Sequence, residues 1–227
     1  MIYITGAARG IGKFLFEHFS NEGLNVVGTY NKSLPDSKFI GQLSKVDITD
    51  HESVENWFAN NHDNKGINIL INCAGINYSA LAHKADIDSW KNVINVNLIG
   101  TFNAIHSVLP LMRENGCGRI INFSSVVSQK GIPGTSAYAA SKSALSGLAK
   151  SIAVENATKG ITINNINLGY FDIGMISEVS EKFHTTILNS IPNKSFGQPK
   201  DILSTVNYLI NTDYLNGTSI DLSAGLV

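Results

Sequence analysis

Apolar residues occur along this chain as short unbroken runs that alternate with longer stretches in which they recur every third or fourth position. The runs MIYIT (1–5), LNVVGTY (24–30), INILINCAG (67–75), GRIINFSS (118–125) and ITINNIN (161–167) read as strands, the last with polar alternate positions. Shorter strands are expected to end near Val46 and to lie within TSIDLS (218–223). In IGKFLFEHFSNEG (11–23), Ile11, Leu15, Phe16 and Phe19 share one helical face, and Gly23 suits the helix end. Asp50 is a capping candidate for a helix over 50–61. A long helical pattern runs from about Asp88 to Glu114 and is expected to break near Pro110. Further helices are expected over about 135–159 and, beginning with a proline, over 199–210.

Strand–helix alternation with unbroken apolar strands predicts an α/β fold. Its centre would be a doubly wound parallel sheet of about seven strands with helices on both faces, in a single domain over 1–227. The loosest stretch, roughly 170–197, follows a strand and is expected to act as a lid over a ligand.

Composition narrows the function. The chain has 227 residues, 43% of them hydrophobic, which supports a sizeable core. Its formal charge of −1 comes without a basic block, so neither nucleic acid nor an anionic membrane surface is expected as a partner. Cys73 and Cys117 stand alone, which fits neither a disulfide framework nor a metal site, and free thiols suit a reducing compartment. His18, His51, His62, His83, His106 and His184 are scattered without ligand spacing, so no metal is expected. With no signal-peptide pattern in MIYITGAARG and no membrane-length apolar run, a cytoplasmic protein is expected.

Two local patterns carry chemistry. TGAARGIG follows the first strand and opens the first helix, so Gly6, Gly10 and Gly12 allow a tight turn and close approach of a pyrophosphate to a helix N-terminus. The spacing is T-G-x-x-x-G-x-G rather than G-x-G-x-x-G. In SAYAASKSA (136–144), Tyr138 and Lys142 stand four apart, on one helix face among small residues. An ammonium beside a phenol is expected to lower its pKa from about 10.

The glycine spacing resembles that of the compact, single-domain branch of the short-chain dehydrogenase/reductase family, and further motifs match in order. These are Asp47 in VDIT, NCAG (72–75), Asn97 in NVNLIGTF, Ser125 in NFSSVVS, and Tyr138 with Lys142. The resemblance runs from Met1 to about Leu222 and is strongest to 3-oxoacyl-carrier-protein reductases. It implies a Rossmann-type sheet and reduction of a carbonyl to a secondary alcohol by hydride transfer. Tyr138 would be the general acid, Ser125 would hold the substrate oxygen, Lys142 would hold the nicotinamide ribose, and Asn97 would anchor a proton-relay water. It implies a cofactor site of Gly6, Arg9, Gly10, Ile11 and Gly12 on the turn, Asn31 and Lys32 at the ribose slot, and Asp47 and Ile48 by the adenine. Asn72, Ala74, Gly75, Tyr138, Lys142 and Gly169 complete it. It also implies a homodimer or homotetramer through the helices near 88–114 and 135–159.

The slot about 20 residues past the glycine turn reads TYNKS (29–33), with no acid; Lys32 is there and Arg9 lies in the turn, which favours NADP(H), with NADPH preferred over NAD. The segment NLGYFDIGM departs from the family pattern. Leu168 stands for the usual proline, Gly169 is kept, and Ile173 stands for a threonine at the nicotinamide end. The resemblance implies a small-molecule or acyl-thioester carbonyl substrate, with acyl carrier protein as a candidate carrier and Arg113, Arg119 and Lys130 as docking candidates. The alternatives are a sugar, polyol or secondary-metabolite dehydrogenase, or a catalytically idle cofactor-binding subunit.

Overall fold

Period-two alternation along the buried strands divides their side chains between two cores. The computed structural model describes residues 1–39, 41–62, 66–174, 176 and 181–227. Its strands are β1 (Ile2–Thr5), β2 (Val26–Tyr30), β3 (Leu43–Lys45), β4 (Asn68–Asn72), β5 (Gly118–Ser125), β6 (Ile161–Leu168) and β7 (Ser219–Leu222). They form one seven-stranded parallel sheet in the order β3-β2-β1-β4-β5-β6-β7. The helices are α1 (Gly10–Asn21), α2 (His51–Asn61), α3 (Ile87–Ile94), α4 (Gly100–Asn115), α5 (Ser136–Asn156), α6 (Glu181–Ser190) and α7 (Pro199–Ile210). Ile2, Ile4, Ile69, Ile71, Ile121 and Phe123 bury on one face against Leu15 and Phe16 of α1 and Ile202 and Val206 of α7. Tyr3, Leu70, Ile120 and Ile163 bury on the other, against α2, α4 and α5. Among the described residues no helix is long and apolar enough to cross a membrane.

A polar ladder crosses this apolar sheet. Thr5 Oγ1 donates to Asn72 Oδ1 (3.4 Å), Asn72 Nδ2 to Asn122 Oδ1 (2.9 Å), Asn122 Nδ2 to Asn165 Oδ1 (3.0 Å), and Asn165 Nδ2 to Ser219 Oγ (3.1 Å). Each pair is also a register pair of neighbouring strands. Asn165 Nδ2 further reaches the Leu145 carbonyl of α5 at 3.1 Å, so the ladder fixes both strand register and the seat of that helix. The polar alternate positions of β6 are buried, and its asparagines are paired.

The long helix departs from expectation. It does not break at Pro110, which lies inside α4. The irregularity is a π turn at Asn95–Ile99 between α3 and α4. The wider turn turns Asn97 inward, where it is fully buried and makes three hydrogen bonds that offset the distortion. The stretch 170–197, expected as a loop, carries α6, and a bridge between Phe171 and Gly197 closes its base. Residues 175 and 177–180 of that expected lid lie outside the described residues.

Candidate active site

Strand order reverses between β1 and β4, and a cleft of about 420 Å³ opens there at the carboxyl ends of the strands. Its floor is the glycine turn. Gly6 adopts φ +70°, and a Cβ on Gly12 would lie 2.3 Å from the Gly6 carbonyl oxygen, so neither position accepts a side chain without rebuilding the turn. Helix α1 begins here with no capping side chain and no acid in its first turn, whereas Asp50 caps α2 and Asp86 caps α3. The first N–H groups and positive dipole end of α1 are thus open to an anion in the cleft.

Most of the expected cofactor residues line this cleft: Gly6, Arg9, Gly10, Ile11, Gly12, Asn31, Lys32, Asp47, Ile48, Ala74 and Gly75. Asn72 does not line it; its side chain belongs to the ladder. Gly169 does not either; a Cβ there would lie 2.9 Å from Ser223 Cα, so this glycine permits contact with the chain after β7. Reading the sequence missed Thr29, Cys73, Ile76, Asn92, Val96 and Gly174, which also line the cleft. Thr29 had a signal: it opens the ribose slot, and its hydroxyl accepts the Gly6 N–H at 3.2 Å. Gly174 had none, because only the fold brings its Cα to 3.1 Å from a Cβ built on Gly10.

Asp47 accepts hydrogen bonds from the N–H and hydroxyl of Thr49 at 2.9 and 2.8 Å. These bonds, with Asn31 and the nearby Lys32 charge, hold its carboxyl below the usual carboxylate range. Ile173, at the position where a threonine was expected, packs partly buried against the α1–α7 core and presents only hydrocarbon.

The four expected catalytic side chains, none of which lines the cleft, gather behind its lining residue Gly75. Ser125 ends β5, and its hydroxyl hydrogen-bonds the Tyr138 phenol in the first turns of α5. Lys142 lies one turn further along α5, buried, with Nζ donating to the Phe123 carbonyl at 2.7 Å. Asn97 Oδ1 accepts the Ile76 N–H at 2.8 Å, while Nδ2 donates to the Ile76 carbonyl at 2.9 Å and to Ser141 Oγ at 3.1 Å. Gly75 joins this group to the cleft: a Cβ there would lie 3.3 Å from Asn97 Oδ1 and 3.8 Å from Lys142 Nζ. A Cβ there would crowd Asn97 by a few tenths of an ångström and touch Lys142 at ordinary contact distance.

Electrostatics in this corner differ from the expectation that Lys142 lowers the phenol pKa. Burial pushes the Tyr138 phenol up to about 12, and only the Ser125 hydrogen bond pulls it back. The Lys142 ammonium sits 5.7 Å from the phenol ring centroid and is committed to a backbone carbonyl. Burial also disfavours its own charge and pushes its pKa down to about 8. Burial raises the Cys73 thiol as well, so it is no nucleophile. The arrangement can hold a carbonyl oxygen between a phenol and a hydroxyl, with a buried cation behind the phenol.

A family model described as short chain dehydrogenase matches residues 1–183. The 3-oxoacyl-carrier-protein reductase of Thermotoga maritima is 36% identical, with 99% of this chain and 96% of that protein covered. The acetoacetyl-CoA reductase of Rhizobium meliloti is 34% identical, with 98% and 96% covered. A crystal structure of a single-substitution variant of actinorhodin polyketide ketoreductase with NADPH superposes with a TM-score of 0.89 at 26% identity, covering 99% of this chain and 96% of that one.

The buried ammonium makes a stability prediction. The Lys142 pKa is lowered in the fold from its ordinary 10.5 to about 8, so folding carries the cost of the charge below about pH 8. That cost fades as pH rises from about 8 to 10.5. Lys142→Met is therefore expected to be more stable than wild type at neutral pH, by about 1–3 kcal/mol, with the gap closing in alkali. Urea unfolding across this range checks it; a Met variant no more stable than wild type at pH 7 would contradict the account.

Proposed function

This chain belongs to the short-chain dehydrogenase/reductase family, and we propose that within it the protein is an NADP(H)-dependent reductase of 3-oxoacyl thioesters, including those on acyl carrier protein. The family assignment makes it an NAD(P)-dependent oxidoreductase acting between carbonyl and alcohol. The observation that carries the reductase reading is the gathering of Asn97, Lys142 and the hydrogen-bonded Ser125–Tyr138 pair behind Gly75, which lines the cleft.

The cleft fits a dinucleotide. Its side-chain-free glycine floor and uncapped helix N-terminus suit a diphosphate, and Arg9 and Lys32 among its lining residues suit a 2′-phosphate. When bound, the cofactor would supply the hydride. Tyr138 would then give its proton to the carbonyl oxygen, and Ser125 would donate a hydrogen bond to the same oxygen as charge develops. A phenol with a pKa near 12 stays protonated at neutral pH. It can still protonate an alkoxide, which is a stronger base than phenolate, but it is poorly suited to take a proton from an alcohol. At neutral pH the phenol thus enters the site protonated, as the acid that carbonyl reduction needs. Lys142, still largely an ammonium at neutral pH, would stabilise the phenolate left behind and hold the nicotinamide ribose. Asn97 would hold a water linking Lys142 to solvent, as the family resemblance implies. Helix α6 (Glu181–Ser190), within the stretch expected as a lid, would cover the acyl chain.

Thioester reduction is favoured over sugar or polyol chemistry by the relatives' names, which include reductases of 3-oxoacyl-carrier-protein and acetoacetyl-CoA. A cytoplasmic setting fits the two free cysteines. A homodimer or homotetramer would bury the apolar outer faces of the π turn, α4 and α5, where Ile99, Phe102 and Val154 stand exposed, Val154 by 82%.

Two measurements test this reading. NADPH oxidation across acyl thioesters, quinones, sugars and ketones should give the highest kcat/KM on 3-oxoacyl thioesters, with NADPH bound about tenfold or more tightly than NADH. Higher activity on a sugar or simple ketone, or equal binding of NADH, would overturn the substrate or cofactor assignment respectively. Sedimentation at micromolar concentration should show a dimer or tetramer; a monomer would refute the assembly.

A further inference from the structure

Two histidines 55 positions apart in the sequence meet on the helical layer that covers the Tyr3 face of the sheet. His51 is the first residue of α2 and His106 lies in the middle of α4. Nε2 of His51 stands 3.1 Å from Nδ1 of His106, with the ring planes tilted by 59°. One turn along α2, Oε2 of Glu55 stands 3.6 Å from Nδ1 of His51. All three residues offer a ligand atom within 4.8 Å of the others.

We propose that His51 and His106 bind a divalent transition metal ion, Zn²⁺ or Ni²⁺, with Glu55 orienting the His51 ring. Two Zn–N bonds of about 2.0–2.1 Å at a tetrahedral angle span about 3.3 Å, so the two facing nitrogens are separated by nearly the edge that one ion needs. The carboxylate of Glu55 faces the other nitrogen of His51. It favours the tautomer with the proton on Nδ1, leaving the Nε2 lone pair toward His106. A carboxylate behind a ligating imidazole is a recurring support for metal sites. His106 would carry its proton on Nε2 in the bound state, so binding to the neutral rings releases none. In the single chain the side chains of His51 and Glu55 are 44% and 53% exposed, so an ion and its remaining waters can reach them. Imidazole ligands select Zn²⁺ and Ni²⁺ over Mg²⁺, which prefers oxygen.

The site differs from the cleft in residues and role. It would tie α2 to α4 across their packed groove. No sequence spacing signals it, because the i, i+4 pair on α2 holds one histidine and one glutamate and the second histidine comes from another helix.

The test uses untagged, chelator-treated protein titrated with ZnCl₂ or NiCl₂, read by calorimetry and thermal unfolding. One ion per chain is expected, with Tm raised by about 5–10 °C at a hundredfold excess over the dissociation constant. MgCl₂ should leave Tm unchanged. His51→Ala and His106→Ala should each remove the shift while keeping the metal-free Tm near wild type. Glu55→Gln should weaken binding by about tenfold to a hundredfold. If the wild type takes up neither ion, or if both histidine variants bind as wild type does, the site does not exist as described and any ion is held elsewhere, for example by the cysteines.

Discussion

Strand register is the constraint on which the rest of this molecule depends. The glycine turn after β1, the NCAG turn after β4 and Ser125 at the end of β5 lie far apart in sequence. They share one edge only because their strands are held level. In a parallel sheet buried on both faces by interchangeable aliphatic residues, a slip along a strand changes little in hydrophobic burial unless something polar forbids it. The ladder Thr5–Asn72–Asn122–Asn165–Ser219 supplies that prohibition across five strands. A slipped strand would leave buried amides unpaired, each costing on the order of 1–3 kcal/mol. The ladder also ties the sheet to the helix bearing Tyr138 and Lys142, through Asn165 to the Leu145 carbonyl. Ser124 adds a second tie, its hydroxyl donating to the Lys142 carbonyl at 3.1 Å.

Burial then sets the chemistry of the gathered groups. The same apolar surroundings that fix α5 push the Tyr138 phenol up and the Lys142 ammonium down, toward the neutral form of each. A neutral phenol is a donor waiting for a base, which matches an acid that protonates an alkoxide. A buried cation answered by a single carbonyl is a standing cost to the fold. Such costs are retained where a function uses them. The π turn is of the same kind: a helix distorted so that Asn97 can reach Ile76 and Ser141.

Much of this was legible in the sequence, for physical reasons. Continuous apolar runs name buried parallel strands, so the sheet and its order of elements followed from pattern alone. Glycines with positive φ and a Tyr–Lys pair one helical turn apart are local features, and local features survive in a linear text. The misses are all non-local. Pro110 looked like the break because proline usually ends a helix, yet the distortion came at Asn97, whose partners lie 21 and 44 positions away. The polar alternate positions of β6 did not reveal that its asparagines pair with neighbouring strands. Gly169 looked like a cofactor contact but lies against the chain after β7. The lowering of the Tyr138 pKa was inferred from neighbouring positive charge, whereas the burial that outweighs it comes from the whole fold.

The central claim is that the Tyr138 hydroxyl delivers the proton. Phenylalanine keeps the ring and its contacts and removes only that hydroxyl, so the decisive comparison is the single-turnover rate of NADPH oxidation by wild type and Tyr138→Phe on a carbonyl the enzyme accepts. The account predicts a rate lower by about 10²–10⁴-fold, with NADPH affinity nearly unchanged. A Tyr138→Phe rate within a few-fold of wild type would contradict it.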